Sequence, residues 1–162
     1  MLIRPARAED CAAIADLWNP YIRDSNVTFN SQEKTAAGLA DDLARKAADG
    51  MPFLLAEAAT AILGFATYGQ FRASNGYAST MEHTVILSPT ASGRGVGRAL
   101  MAAIEDHARG RGVHSMLAGV SAANPDGIRF HAAIGYLEVA RLPEVGRKFD
   151  QWFDLVLMQK ML

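Results

Sequence analysis

Glycines at 93, 95 and 97, in the run Gly93-Arg94-Gly95-Val96-Gly97, lie between a strand-like segment, Thr80 to Leu87, and a helix-like one, Arg98 to Arg109. Backbone without Cβ atoms can approach a ligand closely. A helix opening at that point turns free N–H groups and the positive end of its dipole toward an anion. The chemistry implied is phosphate binding, although glycines at this spacing also suit a plain strand-to-helix turn. Glu82, in the strand just upstream, would set a carboxylate base beside the bound anion; otherwise it is an exposed strand carboxylate pointing opposite to Met81 and His83. Arg72 precedes that strand and is the best carboxylate clamp in the chain, because a guanidinium pairs bidentately with a planar carboxylate; its alternative is a solvated loop arginine. His131, between Phe130 and Ala132, reads on its own as a packed helix-end histidine.

Spacing excludes two common phosphate loops. A dinucleotide fingerprint needs Gly-x-Gly-x-x-Gly, and its last position falls on Arg98 or Leu100. A P-loop needs Gly-Lys followed by Ser or Thr, a tripeptide this sequence does not contain.

The elements that must hold these residues follow from periodicity. Leu2 to Arg4 reads as a strand, and Glu9 to Tyr21 as a helix with Ile14, Leu17, Trp18 and Tyr21 on one face. Ser31 caps a second helix reaching Ala48. Phe53 to Glu57 and Ile62 to Tyr68 form a hairpin, and Arg72 to Gly76 is a polar loop before the Glu82 strand. Val96, Leu100, Ile104 and Ala108 recur at steps of four in the third helix. Ser115 to Ser121 is a strand, Asn124-Pro125-Asp126 opens a fourth helix with Asn as cap, and Tyr136 to Ala140 and Trp152 to Gln159 close the order as strands joined by a loop, Arg141 to Gln151. The order β-α-α-β-β-β-α-β-α-β-β predicts an α/β fold, a mixed sheet with helices on both faces.

Composition bounds the rest. With 162 residues, half of them hydrophobic, one domain with a sizeable core is expected over 1–162. Sixteen basic against seventeen acidic residues give no general attraction to nucleic acid or anionic membrane. Cys11 stands alone, excluding an internal disulfide, and four scattered histidines offer no metal-ligand spacing. The N-terminal residues lack the apolar core of a signal peptide and no run approaches a membrane span, so a cytoplasmic, soluble protein is the expectation.

These residues together resemble the GNAT superfamily of N-acetyltransferases, in the branch of phosphinothricin and methionine sulfoximine acetyltransferases. The resemblance runs through Ile3-Arg4-Pro5-Ala6, Asn19 to Phe29, Arg72-Ala73-Ser74-Asn75-Gly76-Tyr77, Thr80 to Val85 and Gly93 to Leu100. It continues through Asn124-Pro125, Arg129-Phe130-His131, Gly135-Tyr136 and Glu144 to Phe149 with Trp152 and Asp154. Ser92 departs from the superfamily pattern, which has Arg or Gln there, and Arg94 and Arg98 flank the turn instead. Many superfamily members carry Tyr where this chain has His131.

The resemblance implies a GNAT fold with a mostly antiparallel central sheet and acetyl-CoA as cosubstrate. Val85, Ile86 and Leu87 would contact the cofactor by main chain, with N–H groups near Val85 at the acetyl carbonyl. Gly93, Arg94, Gly95, Val96, Gly97 and Arg98 would cradle the pyrophosphate, and Asn124 would hydrogen-bond the coenzyme arm. Glu82 becomes the general base and His131 the leaving-group acid, with direct attack and no acyl-enzyme. Substrate contacts fall on Arg72, Ala73, Ser74 and Glu82, which suits an α-amino acid or analogue; without a long cation at Ser74, methionine sulfoximine or sulfone would be favoured over phosphinothricin. Phe29 and Lys148-Phe149 would lie near the pocket, the latter reaching from a second subunit, so a homodimer is implied. Competing readings keep the fold with a polyamine, aminoglycoside or protein N-terminus as acceptor, or make it an acyl-CoA sensor; Arg72 argues against a cationic polyamine.

Overall fold

The computed structural model describes residues 1–59 and 61–162. Its elements are Leu2–Pro5 (β1), Cys11–Asp24 (α1), Ala36–Ala48 (α2), Phe53–Ala58 (β2), Ala61–Gln70 (β3), Thr80–Leu87 (β4), Val96–Gly110 (α3), Ser115–Ser121 (β5), Pro125–Ala133 (α4), Leu137–Lys148 (β6) and Gln151–Met161 (β7). Short 3-10 turns at Ala8–Asp10, Asn75–Tyr77 and Pro89–Ala91 join them. The strands form one sheet in the order β1-β2-β3-β4-β5-β7-β6. Every neighbouring pair is antiparallel except β4 and β5, which α3 connects as a crossover. The element order matches that expected from periodicity.

Alternation along the central strands feeds two cores. Leu55, Phe65 and Ile86 pack with Cys11, Ile14 and Leu39 from α1 and α2. Ala66, Tyr68 and Met81 pack with Leu100, Met101 and Ile104 from α3 on the opposite face. Helices therefore cover both faces, as the strand pattern required. Glu105, buried inside α3, is compensated by Lys160 Nζ at 2.6 Å and the Tyr136 hydroxyl at 3.1 Å, which ties the helix to β7 and to the entrance of β6.

Two boundaries differ from the sequence reading. The second helix is capped by Thr35, whose hydroxyl accepts from Gly38 N at 3.1 Å, and Ser31 lies outside it. The stretch Arg141 to Gln151, expected as a loop, is instead the end of β6, a two-residue turn and the start of β7. Register shifts between Glu138 and Ala140 and between Leu142 and Gly146 disrupt the alternation that would have revealed the strand. Pro143 is tolerated because β6 is an edge strand. Phe149 and Asp150 turn the chain with φ of 52° and 57°, the paired positive values of a tight hairpin.

Candidate active site

The two parallel strands part company early. β4 and β5 pair only through Thr80 with Ser115, Met81 with Met116 and Glu82 with Leu117. Beyond that point β4 continues on β3 alone and β5 on β7 alone, leaving a wedge in the sheet. Both strands then feed helices, α3 and α4. Ligands in open α/β sheets bind beyond the carboxyl ends of such strands. A cleft of about 990 Å³ occupies this position, lined by Glu82 to Leu87, the glycine turn, Gly119, Asn124 and His131.

Glu82 sits where the strands diverge, on the α1–α2 side of the sheet, with one carboxylate oxygen over Gly119 of β5. An ideal Cβ at Gly119 would lie 2.8 Å from that oxygen, so the approach requires glycine. Burial raises the Glu82 carboxyl above its ordinary pKa, and no charge partner among the described residues pulls it back. A half-buried, unpaired carboxylate in a cleft is a proton acceptor waiting for a proton donor.

His83 and His131 stack at 5.0 Å with 28° between their planes, and the Tyr136 ring meets the edge of both at 5.5 Å. His83 is core-facing and buried. His131 Nδ1 lies 2.7 Å from Gly127 O. A carbonyl oxygen only accepts, so Nδ1 carries the proton and the neutral ring presents a bare lone pair at Nε2. That Nε2 and both His83 nitrogens have no partner among the described residues. Burial lowers the pKa of His131 against the supporting Gly127 bond, and holds His83 at about 3. Both rings are neutral at pH 7.

The glycine turn enters α3 with Gly93 and Gly95 at φ of 72° and 78°. Within the turn the Arg94 amide donates to Ala91 O, while those of Gly93, Gly95, Val96, Gly97 and Arg98 have no acceptor among the described residues. These amides at the start of a 15-residue helix make an anion cradle. Arg98 also lines the cleft, and Arg94 does not, turning instead toward Thr90 O at 3.4 Å. Asn124 spends its side-chain oxygen capping α4 on Gly127 N at 3.0 Å, keeping its amide hydrogens free at the cleft wall. Gly95→Ala is expected to destabilise the fold by about 1–2 kcal/mol, the cost of a left-handed Cβ. It should also weaken the binding of an anion at the turn, measured by thermal melting and by calorimetry with inorganic pyrophosphate.

Arg72, Ala73 and Ser74 are exposed and do not line the cleft. Their loop hangs from Gln70, whose amide donates to Arg72 O at 2.5 Å and Ser74 O at 3.0 Å, and it is Gln70 that reaches the wall. The Arg72 guanidinium rests over the Phe71 ring at 5.3 Å and pairs with no carboxylate among the described residues. Trp18, Tyr21, Val27, Thr28, Gln70, Gly119 and Leu155 also line the cleft and carried no functional reading from sequence. Tyr21 stood in an apolar helix stripe and in the Asn19 to Phe29 segment without a site role of its own, yet its hydroxyl donates to Leu87 O at 2.7 Å. An isolated glycine inside a strand is a recognised sign of close approach and would have singled out Gly119.

Among the described residues no group of three His, Cys, Asp or Glu side chains gathers to hold a metal, and no helix is long and apolar enough to cross a membrane. A family model described as acetyltransferase (GNAT) domain matches residues 3–157. The chain is 35% identical over 162 residues to L-amino acid N-acyltransferase MnaT of Escherichia coli, covering 100% of this chain and 94% of that one. It is 37% identical over 163 residues to the L-methionine sulfoximine/L-methionine sulfone acetyltransferase of Salmonella typhimurium, covering 100% and 95%. Ribosomal-protein-alanine N-acetyltransferase from Brucella melitensis superposes with a TM-score of 0.96 at 34% identity over 100% of both chains. The yncA structure from Salmonella typhimurium, with its cofactor acetyl-CoA, superposes with a TM-score of 0.94 at 34% identity over 99% of this chain and 93% of that one. With a wedge in its sheet, an amide cradle at α3 and relatives matching from end to end, the chain belongs to the GNAT family of acetyltransferases.

Proposed function

We propose that this chain transfers the acetyl group of acetyl-CoA to the α-amine of a small amino acid or analogue, with methionine sulfoximine, methionine sulfone and phosphinothricin as the leading acceptors. The observation that carries the reading is one cleft holding both an unpaired, half-buried carboxylate and a cradle of free amides. The unpartnered N–H groups of Gly93 and of Gly95 to Arg98 fit a pyrophosphate, and the β4 edge left open by β5 fits an amide-bearing arm. Bound there, acetyl-CoA supplies the thioester carbonyl and the thiolate leaving group.

The chain's own residues supply the proton chemistry. Glu82 takes a proton from the acceptor ammonium, directly or through a water, which frees the nitrogen lone pair for direct attack. Backbone N–H groups near Val85 polarise the carbonyl. His131, neutral and with its proton held at Nδ1 by Gly127, takes at Nε2 the proton that the attacking nitrogen sheds as the C–N bond forms, and passes it to the sulfur as the C–S bond breaks. Cys11 is buried in the α1 core and takes no part.

On the acceptor side the cleft is walled by Val27, Thr28, Phe29, Gln70 and Leu155, which suits a small, partly apolar amine. Arg72, outside the cleft lining but two residues from Gln70 and without a carboxylate partner among the described residues, is free to take a carboxylate on that amine, and the relatives named for amino acids and their sulfoximine analogues point the same way. Ser74 beside it offers no cation to a phosphinyl group, favouring the sulfoximine and sulfone. A protein N-terminus is the second reading, favoured by the structural likeness to the ribosomal-protein-alanine enzyme. A thiol-release assay with acetyl-CoA tests both, using methionine sulfoximine, methionine sulfone, phosphinothricin, common amino acids, spermidine and an alanine-started ribosomal peptide. Turnover confined to amino acids and analogues is the expected result; turnover of the peptide alone would overturn the first reading in favour of the second.

Residues 1–162 act in this proposal as one domain of a cytoplasmic homodimer. The dimer is supported by large apolar side chains left exposed along the β6–β7 hairpin: Leu137 at 72%, Val139 at 51%, Val145 at 52% and Trp152 at 58%. Sedimentation should give a dimer for the wild type and a monomer for Val145→Glu combined with Trp152→Glu.

A further inference from the structure

Lys148 is a buried ammonium, 5% exposed, near the end of β6. Its Nζ donates to Ser25 O at 2.6 Å and Thr28 O at 2.8 Å, and reaches Tyr21 O at 3.4 Å. Tyr21 belongs to the last turn of α1, whose carbonyl end favours a cation. Residues 25–29 then leave that helix, and Val27, Thr28 and Phe29 form a wall of the cleft. The same hairpin grips the wall a second time. The Phe29 ring stacks on Phe153 of β7 at 5.9 Å, and a Cβ at Gly146 of β6 would collide with that ring.

Burying a lone ammonium is unfavourable, and burial accordingly lowers the pKa of Lys148. An apolar residue of similar volume would hold the hairpin without that cost. What the ammonium provides is three directed bonds that fix where a loop without helix or strand structure of its own lies. We propose that Lys148 is a positioning residue for the acceptor wall: it pins residues 25–28 so that Thr28 and Phe29 face the amine that Glu82 deprotonates, leaving the acetyl-CoA half of the cleft to other elements. In this structure the contact is made within one chain, so Lys148 serves its own cleft, while Phe149 beside it remains 54% exposed.

The inference rests on the acetyltransferase reading above, and the test separates the two. Lys148→Met keeps the side-chain length and removes the donor. Its KM for the acceptor should rise about tenfold or more with kcat and the KM for acetyl-CoA within about twofold, the pattern of lost uniform binding on one side of the site. Amide exchange of residues 25–30 should accelerate while α3 keeps its protection, and Lys148→Arg should restore part of both effects. Gly146→Ala, which presses on Phe29 without touching the buried charge, should raise the acceptor KM in the same selective way and decides the matter if Lys148→Met does not fold. Unchanged exchange at 25–30, an unchanged acceptor KM, or an equal rise in both KM values would overturn the inference. A wild type that binds acetyl-CoA and turns over no amine would instead sink the acetyltransferase reading.

Discussion

Glu82→Gln should lower kcat by about 10² to 10⁴-fold, the usual worth of a general base, while acetyl-CoA binds with unchanged affinity. The amide keeps the shape of the carboxylate over Gly119, so the change isolates proton acceptance from packing. The pH dependence has a defined sign. Burial raises the Glu82 pKa, and only the ionised form accepts a proton, so activity should fall as pH drops through a value above the ordinary carboxylate pKa of about 4.3. The linked stability runs the other way. A carboxyl whose folded pKa is raised contributes stability below its unfolded pKa, and that contribution is lost as pH rises through the folded value. Above its folded pKa the ionised Glu82 is therefore a strain on the fold, and there the permanently neutral Gln should melt at the same temperature as wild type or above it. Stopped assays across pH and thermal melts at pH 5 and pH 8 check both signs. Unchanged turnover would remove Glu82 as the base, and a lower melting temperature at pH 8 would contradict desolvation as the cause of its shift.

The order of elements could be read from the chain because burial writes its period directly into the residues. The step of four from Val96 to Ala108 and the run Thr80 to Leu87 reappear as α3 and β4. The glycine turn was equally legible, since positive φ at Gly93 and Gly95 and unpartnered helix-start amides are local properties of that run. What escaped reading depends on contacts between distant segments. The part of β6 beyond Ala140 was hidden because an edge strand with two register shifts and a proline does not alternate cleanly, and its pairing becomes visible only beside β7. The resemblance put Phe29 and Lys148 near the pocket, but the bond that joins them into one wall was hidden because Thr28 and Lys148 lie 120 positions apart. His131 was legible as a candidate, but its proton position was not, because the tautomer is set by a carbonyl one helical turn away. Arg72 shows the converse: its residue type announced a carboxylate clamp, while the fold leaves it outside the cleft lining and brings Gln70 to the wall.

Gly119→Ala should lower kcat by about 10²-fold with the fold intact, the penalty for a reacting group misplaced by about 1 Å. The added methyl would sit 2.8 Å from a Glu82 carboxylate oxygen and 3.6 Å from the nearest Leu155 carbon. The first is the free end of a flexible side chain, so the clash is relieved by swinging the carboxylate rather than by moving backbone. Gly119 lies inside β5, pairing with Leu157, and its backbone is outside the positive-φ region, so alanine fits the strand without strain. Removing a glycine from a strand interior lowers the entropy lost on folding, which should leave the melting temperature unchanged or slightly higher. Stability and activity thus move apart, which a general disruption of β5 would not produce. A double-mutant cycle gives the sharper discrimination. If Gly119 acts only by placing the Glu82 carboxylate, then Gly119→Ala added to Glu82→Gln costs little more than Glu82→Gln alone, because the group being misplaced has already lost its function. Additive losses would mean that Gly119 shapes the cleft for the acceptor or for acetyl-CoA directly, and separate KM measurements for the two substrates would show which.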